Sequence, residues 1–89
     1  MDSESQLASL KNWIARLEIS PPVQDDEKRR IAAEIGKLVE ALRTSKGWSV
    51  HQLARKADTD MGVINRLEAG RKLPKPQLLE LLLWAVTNK

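Results

Sequence analysis

Residues 43–76 of the chain read RTSKGWSVHQLARKADTDMGVINRLEAGRKLPKP and contain the pattern of two short helices. The first helix is predicted to begin after Ser49, because Gln52 follows at the spacing of a capping box. Trp48 and Leu53 flank that start at the spacing of a hydrophobic staple. The helix then has one apolar face at i, i+3, i+4 and i+7, formed by Val50, Leu53, Ala54 and Ala57.

A tight turn separates this helix from a second one. Residues 58–60 have the composition of a turn, and Asp60 can cap the helix that follows. The second helix directs Ile64 and Leu67 inward and ends at Gly70, a residue type common just past a helix end. Two short helices joined by a tight turn are typical of a helix-turn-helix, a shape that fits the DNA major groove.

Three more helices are predicted around this motif, and no β-rich run is present. Apolar residues at helical spacing predict a helix over 4–18, which Pro21-Pro22 ends. Together with it we predict helices over 26–45, 49–56, 60–69 and 77–87. The expected fold is therefore an all-α, compact five-helix bundle. We divide the chain into residues 1–22, an amphipathic helix with a Pro-Pro linker, and residues 23–89, the helix-turn-helix domain.

The size and composition of the chain favour an oligomer. A chain of 89 residues forms one small domain and buries only about 60% of its unfolded surface. It has no cysteine and one histidine, so we expect neither disulfides nor a zinc site to stabilise it. Eight of the ten residues from Gln77 to Val86 are apolar, and such a helix needs a partner on two sides. We expect the second partner to be another subunit, which makes the protein a homodimer.

Positive charge is concentrated on the helix-turn-helix. Residues 1–42 carry six Lys/Arg and eight Asp/Glu, a net of −2, whereas residues 43–75 carry eight and three, a net of +5. The remaining residues cancel, which leaves the total at +3. This asymmetry is typical of a nucleic-acid binder, although a basic face that only favours solubility is the alternative.

Several other function classes find no support in the sequence. The longest apolar run, Leu81 to Val86, is far shorter than the roughly 20 residues that cross a bilayer. The N-terminus lacks the pattern of a secretory signal, so we expect a cytoplasmic protein without a membrane partner. There is no glycine-rich phosphate loop and no metal-ligand cluster, and residues 25–27 complement a helix dipole. We therefore expect no enzyme, no cofactor, no metal and no small-molecule substrate.

From Ile35 to Val86 the chain resembles the lambda-repressor-like, or Cro-like (xenobiotic-response-element), helix-turn-helix family. The resemblance implies a five-helix fold and a dimeric transcription regulator. It also implies an ion pair between Arg43 and Glu68 beneath the DNA-facing surface. Many members have glycine where Asp58 stands, and their fifth helix follows the fourth instead of lying at residues 4–18. The residues that carry the resemblance are Leu42-Arg43, Trp48-Ser49, Leu53 to Ala57, Ile64 to Gly70 and Pro74.

The exposed face of the second motif helix is the candidate base-reading surface. The inward position of Ile64 and Leu67 places Met61, Gly62, Asn65 and Arg66 on the opposite face, and the resemblance implies base contacts at the same positions. Arginine can bind guanine through two hydrogen bonds, and asparagine can bind adenine in the same way. Alternatives remain: the methionine fills a gap in the core, the glycine is unconstrained, or the arginine pairs with a carboxylate.

Phosphate contacts are expected on both sides of this helix. Candidates are Ser49, Val50 and His51 at the start of the first motif helix, and Arg71, Lys72 and Lys75 in the loop after the second. Lys46, Arg55 and Lys56 are weaker candidates. For dimerisation we favour the C-terminal helix over the N-terminal one, through the residues Leu78, Leu82 and Trp84.

Taken together, these features predict a sequence-specific transcriptional repressor that binds double-stranded DNA at a pseudo-palindromic operator as a homodimer. Activation through contact with polymerase is an open alternative to repression. A second class is an antitoxin or adaptor of the same fold, whose main role is to bind a partner protein through residues 4–18 or 77–86.

Overall fold

The computed structural model describes residues 3–88, and in this range it contains five α-helices and no strand. The predicted all-α five-helix fold is confirmed, and every predicted helix bound lies within one residue of the observed one. Residues 1, 2 and 89, which the predicted division of the chain includes, lie outside the described range. The helices are α1 (Ser3–Ile19), α2 (Asp25–Ser45), α3 (Val50–Lys56), α4 (Met61–Glu68) and α5 (Pro76–Asn88).

All five helices contribute to one hydrophobic core. Helix α1 packs against α2 and α5, α2 also packs against α4, and α3 packs against both α4 and α5. The N-terminal helix therefore shares the core of the helix-turn-helix region. Nowhere in residues 3–88 is there a helix with the length and apolarity needed to span a membrane. The largest fully buried side chains are Leu10, Ile35, Leu53, Ile64, Leu79 and Leu82.

Two glycines allow α4 and the loop after it to lie directly against α2. A Cβ atom on Gly36 would lie 2.5 Å from the carbonyl oxygen of Leu67, so any side chain there would separate the two helices. Gly70 follows α4 with a φ of +69°, and a Cβ there would lie 2.8 Å from the Cα of Ala33. These contacts fix the position of α4 on the core and direct the following loop along α2.

Candidate nucleic-acid interface

Helix α3 begins with a complete capping box. The Ser49 hydroxyl accepts a hydrogen bond from the Gln52 N–H at 3.1 Å, and the Gln52 side-chain oxygen accepts from the Ser49 N–H at 2.8 Å. Just before this cap, the Trp48 ring lies 4.8 Å from the Lys56 ammonium group, measured to the ring centroid. These contacts tie the start of α3 to its end and hold the helix in place despite its seven residues.

The turn between α3 and α4 is tight and depends on a left-handed residue. Asp58 has a φ of 55°, in a region that aspartate tolerates better than most residues. The Thr59 N–H then donates to the Ala54 carbonyl at 2.9 Å, which closes the turn on α3. Asp60 accepts a hydrogen bond from the Val63 N–H at 3.2 Å and caps α4, as the sequence predicts. The orientation of α4 is therefore fixed by local hydrogen bonds.

Helix α4 has one face in the core and one face in solvent. Ile64 and Leu67 are buried, and they anchor the helix from below. Asn65 and Arg66 are exposed on the outer side, and Met61 is 45% exposed, so the methionine does not fill a gap in the core. Gly62, which follows Met61 in the first turn of α4, is partly exposed. All four predicted base-reading residues therefore share an accessible surface.

An ion pair connects α4 to α2 beneath this surface. Arg43 and Glu68 form two parallel hydrogen bonds, at 2.7 Å and 2.9 Å, as the family resemblance implies. A third bond, at 2.9 Å, runs from Arg43 to the Trp48 carbonyl, just before the cap of α3. Hydrogen bonding to Glu68 is the main reason that the pKa of Arg43 is raised above its ordinary value. The pair positions both motif helices relative to α2.

The predicted phosphate-binding residues flank α4 on the surface. Ser49 and His51 are exposed at the start of α3, whereas Val50 is half-buried and packs on the core, so only its backbone is available for a contact. Arg71, Lys72 and Lys75 are all exposed in the loop that joins α4 to α5. Cations and helix N–H groups of this kind are the usual donors to phosphate oxygens.

A family model described as a helix-turn-helix domain matches residues 34–86. The chain belongs to this helix-turn-helix domain family. The matched range starts within α2 and covers the capped α3, the turn, α4 and nearly all of α5. Membership in the helix-turn-helix family indicates that the chain binds DNA.

The helix-turn-helix chain is also similar to a curated fungal protein. It is 39% identical over 51 residues to multiprotein-bridging factor 1 from Candida glabrata. The similar region covers 57% of this chain and 34% of that protein, so the chain matches about one third of its relative's length. No solved structure matches the chain at a significant level.

The helix-turn-helix surface includes two cations that the sequence reasoning missed. Lys28 and Arg29, near the start of α2, line a cleft together with Arg71 and Lys72 of the loop after α4. They belong to residues 1–42, which are net acidic, and only the fold brings them next to the loop. The basic run at residues 28–30 is the one feature of the sequence that could have drawn attention to them.

The three predicted dimerisation residues differ in how deeply the structure buries them. Leu82 is buried in the core of the single helix-turn-helix chain, so it has no surface to offer a second chain and its prediction is wrong. Leu78 is half-buried and packs against the same core. Trp84 is 59% exposed, and Leu81, which the sequence reasoning did not select, is 45% exposed one turn earlier. Leu81 and Trp84 are therefore the most exposed large apolar side chains of α5.

Proposed function

We propose that the chain is a sequence-specific transcriptional repressor of the lambda-repressor-like type, which binds a pseudo-palindromic operator as a homodimer. The observation that carries this proposal is the outer face of α4. Met61, Asn65 and Arg66 are exposed there, while the opposite face of the same short helix is buried in the core. A helix held in this way can enter the major groove without any change in its packing.

The side chains on this face have the chemistry needed to read bases. Arg66 can donate two hydrogen bonds to guanine, and Asn65 can form two with adenine, each such pair contributing about 1–3 kcal/mol of discrimination. Met61 offers an apolar surface to a thymine methyl group, and Gly62 allows the backbone to approach the DNA closely. In this arrangement the base contacts come from the first two turns of α4.

Phosphate contacts on both sides would set the orientation of α4 in the groove. We assign them to the N-terminal end of α3, through Ser49, His51 and the backbone N–H of Val50, and to the loop cations Arg71, Lys72 and Lys75. The first N–H groups of a helix have no acceptor within it and point toward the helix start, where they favour an anion. These contacts position the protein and carry no sequence information themselves.

A homodimer is supported by the apolar side chains that α5 leaves exposed. Leu81 and Trp84 are one turn apart, and a large aromatic side chain on the surface is typical of an interface core. Two copies of α4 would then face successive major grooves about 34 Å apart, which requires a pseudo-palindromic site. Such a dimer would repress transcription by competing with polymerase for the promoter, and the role assigned to it involves no catalysis.

A second candidate function is that of an adaptor that binds a partner protein. The name of the curated relative describes a factor that bridges several proteins. In this chain Ile19 and Val23 are each 83% exposed on either side of Pro21-Pro22, where they line an open cleft between α1 and α2. An exposed apolar pair of this kind fits a protein contact better than a DNA contact.

Selection of binding sites from a pool of random DNA duplexes, followed by affinity measurements at several salt concentrations, separates the two functions. A repressor should enrich a site with dyad symmetry and lose affinity steeply as salt rises, because neutralised phosphates release counterions. An adaptor without DNA-binding activity should enrich no sequence and show no salt-dependent binding to the pool.

A further inference from the structure

A cluster of four cations lies at the junction of α2 and the loop after α4. Lys28 and Arg29 come from the second turn of α2, and Arg71 and Lys72 come from the loop. They line an open cleft of about 350 Å³, whose other lining residues are Asp25 and Leu73. Two of these cations lie outside the matched helix-turn-helix range of residues 34–86.

The close contact of Gly70 with α2 explains why these residues meet. Gly70 lies against Ala33, where a Cβ atom would come within 2.8 Å of the Ala33 Cα. Arg29 lies one helical turn before Ala33 on the same side of α2, and Asp25 lies one turn earlier still. The chain that leaves Gly70 follows this side toward the start of α2, which brings Arg71 and Lys72 beside Lys28 and Arg29.

The four cations of the cluster form no salt bridge within the described part of the chain. Ion pairs among residues 3–88 join Arg30 to Glu27 and Arg43 to Glu68, and none involves the four cations of the cleft. Asp25 is the single carboxylate that lines the cleft with them. Like charges held close together repel each other, and a bound anion relieves that repulsion.

The cluster is continuous with the proposed base-reading surface. Lys72 and Leu73 also line a second cleft, which contains Arg66 of α4 and Lys75 of the loop. One basic band therefore runs from the outer face of α4, across the loop, to the second turn of α2. A band that joins cations of α4, the loop and α2 matches a polyanion with regularly spaced charges better than a single small anion.

On the basis of the DNA-binding function proposed for the chain, we propose that Lys28 and Arg29 of α2 bind phosphates of the DNA backbone beyond the helix-turn-helix contacts. Arginine binds a phosphate through two parallel hydrogen bonds, and lysine binds it as a point charge. Leu73 is the single apolar side chain in the cleft, which leaves little surface for an acidic peptide that would also need apolar contacts. The repressor would then cover more of the DNA backbone than its motif alone can reach.

The test is the salt dependence of binding to a random-sequence duplex of roughly 20 base pairs, or two helical turns. The double variant Lys28→Gln/Arg29→Gln should bind with a slope of log K against log salt that is smaller by about 1.8 for each bound subunit, at about 0.9 for each lost phosphate contact. The control Lys11→Gln/Arg30→Gln removes the same charge from two exposed cations that line neither basic cleft, and it should keep the wild-type slope. Helix content and Tm, measured by circular dichroism, verify that each variant is folded.

Two further variants protect the test against a folding artefact. Arg29→Gln alone changes an exposed residue and should lower the slope by about 0.9 for each bound subunit. Asp25→Asn removes the carboxylate that faces the bound phosphate and should tighten binding, a gain that unfolding cannot produce. Inorganic phosphate added at constant ionic strength should compete no better than another salt if the ligand is the DNA backbone.

The possible results distinguish this site from the function on which it depends. If both double variants keep the wild-type slope, or if the slope falls equally in both, Lys28 and Arg29 do not bind phosphates. Neither result would affect the contacts assigned to the helix-turn-helix itself. Failure of the wild-type chain to bind the duplex at any salt concentration would overturn the DNA-binding function itself. Selective competition by inorganic phosphate or by an acidic peptide would replace the DNA backbone with that ligand.

Discussion

Arg43 and Glu68 face each other across the boundary between α2 and α4. Arg43 Nε donates to Glu68 Oε2 at 2.7 Å, and Arg43 Nη2 donates to Glu68 Oε1 at 2.9 Å. Their side chains are only 14% and 9% exposed, respectively. Because Arg43 also donates to the carbonyl of Trp48, a single guanidinium group holds α2, the cap of α3 and the end of α4 together. The DNA-facing geometry therefore depends on a pair of residues that are not expected to touch DNA.

Replacement of Glu68 by alanine should strongly destabilise the fold. The change leaves the Arg43 charge poorly solvated and without its partner, at a cost of about 3 kcal/mol in the free energy of unfolding. For a domain of this size the Tm should fall by more than about 10 °C. Because the pKa of Arg43 is raised, the arginine stays charged in the folded protein at any pH below its ordinary pKa, and the loss should be present throughout the neutral range.

The contribution of the Arg43–Glu68 ion pair is measured by comparing the melting temperatures of Glu68→Ala and the control Glu80→Ala. Glu80 is exposed on α5, and its replacement should change the free energy of unfolding by less than about 0.5 kcal/mol. Equal melting temperatures for the two variants would show that the ion pair contributes nothing to the fold.

Replacement of Gly36 by alanine should destabilise the protein although alanine favours helices. The new Cβ would lie 2.5 Å from the Leu67 carbonyl oxygen and 2.9 Å from that of Glu68, so α4 must move away from α2. Overpacking costs about 1–3 kcal/mol, and a clash with backbone atoms belongs in the upper part of that range, above the roughly 1 kcal/mol that helix propensity returns. Urea denaturation gives the result, and Glu34→Ala, on the exposed side of α2, is the matched control. A Gly36→Ala variant as stable as that control would contradict the close contact.

The positive φ of Asp58, in the turn between α3 and α4, predicts an order of stability among variants at this position. At position 58 the φ of 55° suits glycine best, aspartate less well, and alanine least of the three. The Asp58→Gly variant should therefore exceed Asp58→Ala in stability by about 1 kcal/mol, with the wild type between them. Differential scanning calorimetry of the three proteins tests the order. If the Asp58→Ala variant is as stable as the Asp58→Gly variant, the turn does not require a residue with positive φ.

The oligomeric state should depend on Trp84 and not on Ile19. Both are exposed, but Trp84 lies with Leu81 on α5, where we propose the dimer interface. Sedimentation velocity should show a dimer for the wild type and for Ile19→Glu, and a folded monomer for Trp84→Glu. Leu82→Ala should instead lower stability by about 2–5 kcal/mol, since Leu82 is part of the core. A wild-type monomer, or a dimer that only Ile19→Glu disrupts, would be inconsistent with an α5 interface.

The parts of the fold that the sequence predicted depend on local chemistry. The capping box of Ser49 and Gln52, the cap at Asp60 and the break at Pro21-Pro22 each involve residues close together in the chain. Such features can be read from spacing, and they placed the end of α1 and the starts of α3 and α4. The pair between Arg43 and Glu68 spans 25 positions, so local spacing could not reveal it, and it came only from the family resemblance.

The parts that the sequence did not predict depend on which surfaces meet. Helix α5 is apolar on nearly all sides, so periodicity could not show that Leu82 faces the core while Trp84 faces solvent. Gly36 was not distinguished from any other helical residue, because its role depends on where α4 crosses α2. The proximity of Arg29 to Lys72 likewise follows from the path of the loop after Gly70.

The most direct test of base reading by α4 is the binding of Arg66→Ala to the selected operator and to each of its single-base substitutions. If Arg66 contacts a base, the variant should lose about 1–3 kcal/mol on the selected site and lose its preference at one position of each half-site. Lys72→Ala, the control for a phosphate contact, should weaken binding about equally at every position. A uniform loss for Arg66→Ala as well, with every base preference retained, would contradict the assignment of the exposed face of α4 as the reading surface.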